Sequence, residues 1–194
     1  MDALARRRLN SVYLPGRVVP MLPEGVTHRL ACLMEGEDRL AKTVEMEFAR
    51  GGVLKRSRVL RSVVRSDRRL DYDEAAAFLA GTGGGETGRM LRAGWELAQT
   101  LKRRRFARGA IDMNIMETKV LLDESGEVRD VVCKARRTSD VLVEEFMLAA
   151  NERVALHLQD AGVTFVGRVH DEPDEASLRR FRTFALSLGL RMRG

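Results

Sequence analysis

The stretch Asn-Ser-Val-Tyr-Leu-Pro-Gly-Arg-Val-Val-Pro-Met-Leu-Pro, residues 10–23, holds three of the chain's four prolines and restricts its folding more than any other segment. Proline fixes its own φ, removes a backbone donor and pushes the preceding residue toward extended conformations. Pro15, Pro20 and Pro23 therefore exclude a helix and predict a stiff, extended ribbon running to about Glu24. Tyr13 lies on that ribbon. An aromatic ring on a stiffened segment loses little entropy when it stacks on a nucleobase. The other reading is a core tyrosine beside a surface loop, and the ribbon's residues alone leave both open.

Hydrophobic periodicity predicts the remaining elements. Residues 3–9 read as the end of a helix. From Arg39 to Phe48, the residues Leu40, Val44, Met46 and Phe48 fall at even spacing, with Lys42 the exception, and Glu45 and Glu47 face the other way, as in a half-buried strand. Gly51-Gly52 turns it into a second strand from Val53 to about Ser66, giving an antiparallel hairpin. Asp71 and Glu74 offer a capping box for a short helix through Leu79. Thr82-Gly83-Gly84-Gly85 lacks both a Gly-Lys-Ser/Thr ending and a leading strand, so it is a loop and not a phosphate cradle.

An amphipathic helix is expected from Glu86 to about Arg108, with Leu91, Trp95, Ala98 and Leu101 on one stripe. Lys102, Arg103, Arg104, Arg105 and Arg108 gather at its end. Cations there oppose the negative end of the helix dipole, and they are equally suited to phosphate contact. Lys119–Leu122 and Val128–Lys134 bracket the turn Asp123–Glu127 and predict a second hairpin, whose acids lack the spacing of a calcium loop. Thr138 or Ser139 caps a helix from about Asp140 to Gln159 that is apolar nearly all round, and this is expected to be the central buried helix. A short strand near Thr164–Val169 follows, then a helix begun by Pro173-Asp174-Glu175 and stopped at Gly189. The acids at 171–175 are explained by capping. The fold class is therefore α/β (mixed α+β), with antiparallel hairpins packed around a long buried helix in one unit, 1–194.

At 44% hydrophobic and 32% charged residues the chain reads as globular. No apolar run reaches membrane-spanning length and the first residues lack a secretory core, so a cytoplasmic protein without a membrane partner is expected. Cys32 and Cys133 have no second ligand at metal spacing and read as buried, reduced thiols. The net charge of +6 fits a nucleic-acid partner, although the richness in Arg, Ala and Gly is also what a GC-rich genome produces. His28, His157 and His170 are scattered, with no serine or cysteine paired to them as a nucleophile.

Glu144 stands out on the second long helix, where Asn151 returns to nearly the same angle on an otherwise apolar side. A buried carboxylate needs donors. These come either from an internal network or from a ligand such as a ribose hydroxyl, the group that tells RNA from DNA.

Several blocks carry a resemblance. Ser-Val-Tyr-Leu-Pro with Val-Pro-Met-Leu-Pro is followed, in order, by Leu30-Ala31-Cys32-Leu33, Leu70-Asp71-Tyr72-Asp73-Glu74-Ala75, Arg108-Gly109-Ala110-Ile111, Val143-Glu144-Glu145-Phe146-Met147-Leu148-Ala149-Ala150-Asn151 and Arg168-Val169-His170-Asp171-Glu172-Pro173. Together they resemble the RNase II and RNase R family of 3′-to-5′ exoribonucleases, whose catalytic unit is the RNB domain. The resemblance implies a processive hydrolytic nuclease of single-stranded RNA, not DNA, dependent on magnesium. It implies that Tyr13 and the residue at Met113 clamp the 3′-terminal nucleotide and that Glu144 holds its sugar. The family has phenylalanine where Met113 stands, so the apolar contact is kept and the aromatic face lost.

Two-metal hydrolysis needs convergent carboxylates that hold the ions about 4 Å apart. The family draws them from an aspartate-rich motif upstream of its proline ribbon, whereas Asp2 is the sole acid before Tyr13 here. The family's late arginine motif would fall beyond Gly194. The expectation is a partial RNB catalytic domain, forming the wall that grips the 3′-terminal nucleotide. Such a wall binds no metal by itself and is inactive alone, unless the missing parts of the enzyme join it in trans. The alternatives are a stand-alone, non-catalytic RNA-binding or partner-binding module, and a poorly folding remnant with exposed apolar surface.

Overall fold

Pro15 and Gly16 turn the proline ribbon back on itself. In a computed structural model, which describes residues 1–112 and 116–190, β1 (Val12–Leu14) and β2 (Arg17–Val19) form a short antiparallel hairpin. The ribbon is extended as expected, but as two paired strands and not one straight path. Gly16 is required at this turn. Its φ is +70°, and an added Cβ would lie 2.8 Å from Cδ1 of Leu122, so the hairpin tip is seated on a neighbouring strand. Helix α1 (Asp2–Arg8) secures the other end, where the Arg8 guanidinium donates to the carbonyl of the buried Pro20. The Met21 amide donates to Ser11 Oγ at 2.9 Å. A π-helical turn at Val26–Leu30, which the periodicity does not signal, follows.

The chain divides into two compact units, Met1–His157 and Leu158–Gly194. In the first, β3 (Asp38–Phe48) and β4 (Leu54–Arg65) make the long hairpin, with a bulge at Glu47/Phe48. Its register places Glu45 opposite Arg58, Glu47 opposite Arg56 and Asp38 opposite Arg65, and each facing pair is an ion pair. The apolar face is covered only from Val44 onward. Leu40, expected inside, is 87% exposed, because at the Asp38 end the covered face is the opposite one, where Ala41 and Thr43 are half-buried and Arg39 donates to the carbonyls of Arg29 and Cys32.

Helix α2 (Tyr72–Leu79) opens with the predicted capping box: the Glu74 amide donates to Asp71 at 2.8 Å and the Asp71 amide to Glu74 at 3.0 Å. Helix α3 (Gly85–Ala107) buries Ala98 completely. Strands β5 (Glu117–Leu122) and β6 (Val128–Lys134) pair antiparallel across the predicted turn. Asp123 orders that turn by accepting from the Ser125 hydroxyl at 2.6 Å and the Glu127 amide at 3.0 Å. The Ser125 hydroxyl, then the Glu127 amide, hold its carboxyl below the usual aspartate range. Cys133 is exposed on β6 and Cys32 half-buried, so neither is the buried thiol expected.

Helix α4 spans Thr138–Asp160. It crosses α3 at Gly94, where the missing side chain admits Phe146 and Leu142; an added Cβ would stand 3.6 and 3.7 Å from them. Its buried residues are Ser139 and Glu145, while Val143, Phe146 and Met147 remain partly exposed. An all-round apolar helix needs cover on every side. Within this unit α3, α2 and the long hairpin flank only part of its circumference, so α4 is not the buried helix expected. Ser139 does not cap its own helix but donates to the Tyr72 carbonyl at 2.6 Å, tying α4 to α2. Asp140 takes the capping role and accepts from the Arg137 amide at 2.9 Å.

In the second unit, α5 (Glu175–Ser187) begins where predicted, with Asp174 as its cap. The strand expected at Thr164–Val169 does not form. A strand needs a partner ladder for its backbone groups, and the described part of this unit offers none. Asp174 accepts from the Ser177 amide at 2.8 Å and its hydroxyl at 2.9 Å. These bonds, the amide's first, hold the Asp174 carboxyl below its usual range. The stability they give is therefore complete above the ordinary aspartate value and is lost as pH falls through the depressed one. Lowering the pH from 6 to 2 is expected to reduce the protection of the Ser177 amide against exchange, measured relative to its intrinsic rate at each pH, and Asp174→Asn should remove that pH-dependent loss of protection. Protection that falls equally in the variant would assign the effect to another group.

Candidate nucleic-acid interface

The site is organised by a buried ion pair. Glu145, on the side of α4 that meets α3, is 2% exposed. A carboxylate there is tolerable only if its charge is met. Arg105, near the end of α3, meets it with two bonds, Nε to Oε2 at 3.2 Å and Nη2 to Oε1 at 2.5 Å. The hydrogen bond to Glu145 raises the guanidinium above its ordinary pKa, against an opposing effect of partial burial. The neighbouring glutamate, Glu144, turns outward. Its Oε2 accepts from Nη2 of Arg136, and its Oε1 lies 3.6 Å from Arg105 Nη2. Arg136 also reaches Asp112 at 3.3 Å, and Asp112 is held from its other oxygen by Lys102 at 3.3 Å. Glu144 also lines an open cleft with Glu117, Lys134, Ala135, Arg136 and Asp140.

The basic end of α3 divides into two kinds of cation. Lys102, Arg105 and Arg108 each face a carboxylate, the last through Glu152 at 3.2 Å. Arg103 and Arg104 are exposed and bond only neutral oxygens, Thr100 Oγ1 at 3.0 Å and the Gly51 carbonyl at 3.4 Å. Lys102 and Arg105 also stand 5.4 and 5.2 Å from the Phe106 ring centre. Most of the cluster therefore serves internal pairing, and two cations are left without an acidic partner among the described residues.

Tyr13 stands apart from this network. It lies on β1 opposite Val18 and is 79% exposed, so it is not a core tyrosine. No hydrogen bond or ion pair joins it to Glu144 among the described residues. Asn151 is exposed and takes no part in the Glu144 bonds. Met113 lies outside the described residues. Sequence reasoning selected Glu144 but missed Glu145, Arg105, Arg136 and Asp112 as its surroundings. A signal existed for one of them: Glu145 shares its helical side with Leu148, Ala149 and Glu152, so it had to find a cation.

These acids do not suit a divalent metal. Asp112, Glu144 and Glu145 each already face a guanidinium or an ammonium. Among the described residues no group of three or more His, Cys, Asp or Glu is placed to hold an ion. No described helix is long and apolar enough to cross a membrane.

The mixed α/β arrangement, the proline hairpin and the paired glutamates define a class, and the RNB domain family matches residues 1–192. The chain belongs to the RNB domain family. Within that family it is similar to ribonuclease R: the enzyme of Thermotoga maritima is 38% identical over 196 residues, covering 98% of this chain and 28% of that protein. The Aquifex aeolicus ribonuclease R is 37% identical, covering 99% and 28%. Among solved structures, Mycoplasma genitalium RNase R in complex with ribose methylated single-stranded RNA superposes with a TM-score of 0.91 at 28% identity, over 97% of this chain and 30% of that one. The chain thus spans less than a third of the length of these relatives.

Proposed function

We propose that this chain is part of a processive, hydrolytic 3′-to-5′ exoribonuclease of the ribonuclease R type, acting on single-stranded RNA in the cytoplasm. Within it, residues 1–194 form the portion of the RNB catalytic domain that grips the 3′-terminal nucleotide. Tyr13 stacks on a base, Glu144 accepts a hydrogen bond from a sugar hydroxyl, and Met113 adds apolar contact. Catalytic magnesium is held by carboxylates other than those described above, and the chain alone does not cleave. The observation that carries this reading is the match over residues 1–192, together with the likeness to an RNase R solved with single-stranded RNA.

The test is binding. Single-stranded RNA should bind with an affinity that falls as salt rises, since phosphate contacts release counterions. Tyr13→Ala should weaken binding by about ten-fold, since each base stacked on an aromatic ring contributes about 1–3 kcal/mol. Unchanged affinity would remove Tyr13 from the grip. With magnesium and 5′-labelled RNA, the chain alone should leave the RNA at full length. Stepwise shortening would overturn the inactive assignment, and RNA binding without any gain on adding the rest of the enzyme would favour a stand-alone binding module.

A further inference from the structure

We infer that Arg136 is a positioning residue for Glu144, fixing its carboxylate so that one oxygen is presented to a ribose hydroxyl; this rests on the nucleotide-grip reading above. A guanidinium is a planar fork whose donors have fixed directions. Arg136 uses the two tines on different acids: Nη2 donates to Glu144 Oε2 and Nη1 to Asp112 Oδ1 at 3.3 Å. Asp112 is itself pinned, with Lys102 on α3 donating to its Oδ2 at 3.3 Å. The fork is thus anchored on one side and grips Glu144 with the other.

The second cation in reach is already engaged. Arg105 Nη2 stands 3.6 Å from Glu144 Oε1, beyond hydrogen-bond length, while its Nε and Nη2 serve the buried Glu145. Glu144 Oε1 consequently has no donor within hydrogen-bond distance among the described residues, although the residue lines an open polar cleft. The acceptor that a sugar needs is left vacant because each neighbouring guanidinium has another carboxylate to hold. Without Arg136, Arg105 is the nearest cation left to Glu144, and a shift onto it would consume that acceptor.

The experiment compares the chain's affinity for two labelled single-stranded RNAs of one sequence, ending at the 3′ side in a ribose or a 2′-deoxyribose. The unaltered chain should prefer the ribose end by about ten-fold, the value of one hydrogen bond to a charged group. Glu144→Ala and Arg136→Met should each bring the ratio near one, and the double variant should fall no further than Glu144→Ala. Arg136→Lys reaches one carboxylate at a time and should give an intermediate ratio. A full ribose preference in Arg136→Met, alongside its loss in Glu144→Ala, overturns the role of Arg136 and leaves the grip intact. A ratio of one in the unaltered chain overturns the grip itself. Should Arg136→Met fail to fold, the lysine variant decides: an intermediate ratio supports the role and an unchanged one overturns it.

Discussion

Replacing Arg105 by alanine is expected to destabilise the first unit more than any other single change at the site, by about 3–5 kcal/mol. The reason is asymmetry within the Arg105–Glu145 pair. Glu145 is 2% exposed and has Arg105 as its cation, so removing the arginine strands a buried charge. The reciprocal change, Glu145→Ala, should cost less, about 2 kcal/mol. Arg105 is 21% exposed at the side chain and has Glu144 3.6 Å away to turn to. Replacing both residues by apolar ones should recover much of the loss, because neither charge is then left buried without its partner. Urea unfolding measures this through the midpoint at constant slope. Equal losses for the two single variants would mean that Glu144 is no refuge for Arg105.

RNA binding should lose much of its salt dependence when Arg103 and Arg104 are replaced together by glutamine. Each cation that neutralises a phosphate of a single strand contributes about 0.7 to the slope of log affinity against log salt. Two such contacts predict a fall in slope of about 1.4 and roughly ten-fold weaker binding at low salt. Lys102, Arg105 and Arg108 already face carboxylates, so substituting them should disturb the fold more than the slope. A slope unchanged in the double variant would assign Arg103 and Arg104 to the helix terminus alone.

Elements governed by local chemistry were legible in the sequence. The Asp71–Glu74 capping box, the Asp123 turn and the Asp174 cap each depend on side chains within a few residues of the backbone they satisfy. The β3–β4 and β5–β6 hairpins followed from alternation and turn residues, whereas the pairing of β1 with β2 within the proline ribbon did not. What failed depended on neighbours remote in sequence. Leu40 has the spacing of an inward residue, but spacing does not reveal that at this end of the hairpin the opposite face is the covered one. Val166 and its neighbours have strand character, yet no strand is at hand to pair with them within the described part of their unit. At the site, Glu144 is legible from its helical angle as well as from its motif. The arginines that define its chemistry come from another helix and a loop, and Ser139 serves α2 and not its own helix.

The cross-strand charges of the long hairpin have a second consequence. The described sheets are three two-stranded ladders, so every strand in them is an edge strand with one row of backbone donors and acceptors left unpaired. Such edges template the addition of further strands from other molecules. Asp38, Glu45 and Glu47, facing Arg65, Arg58 and Arg56, line the hairpin with large hydrated groups that an incoming strand would have to dehydrate. The ladder that fixes register thus also opposes the addition of a further strand along this hairpin.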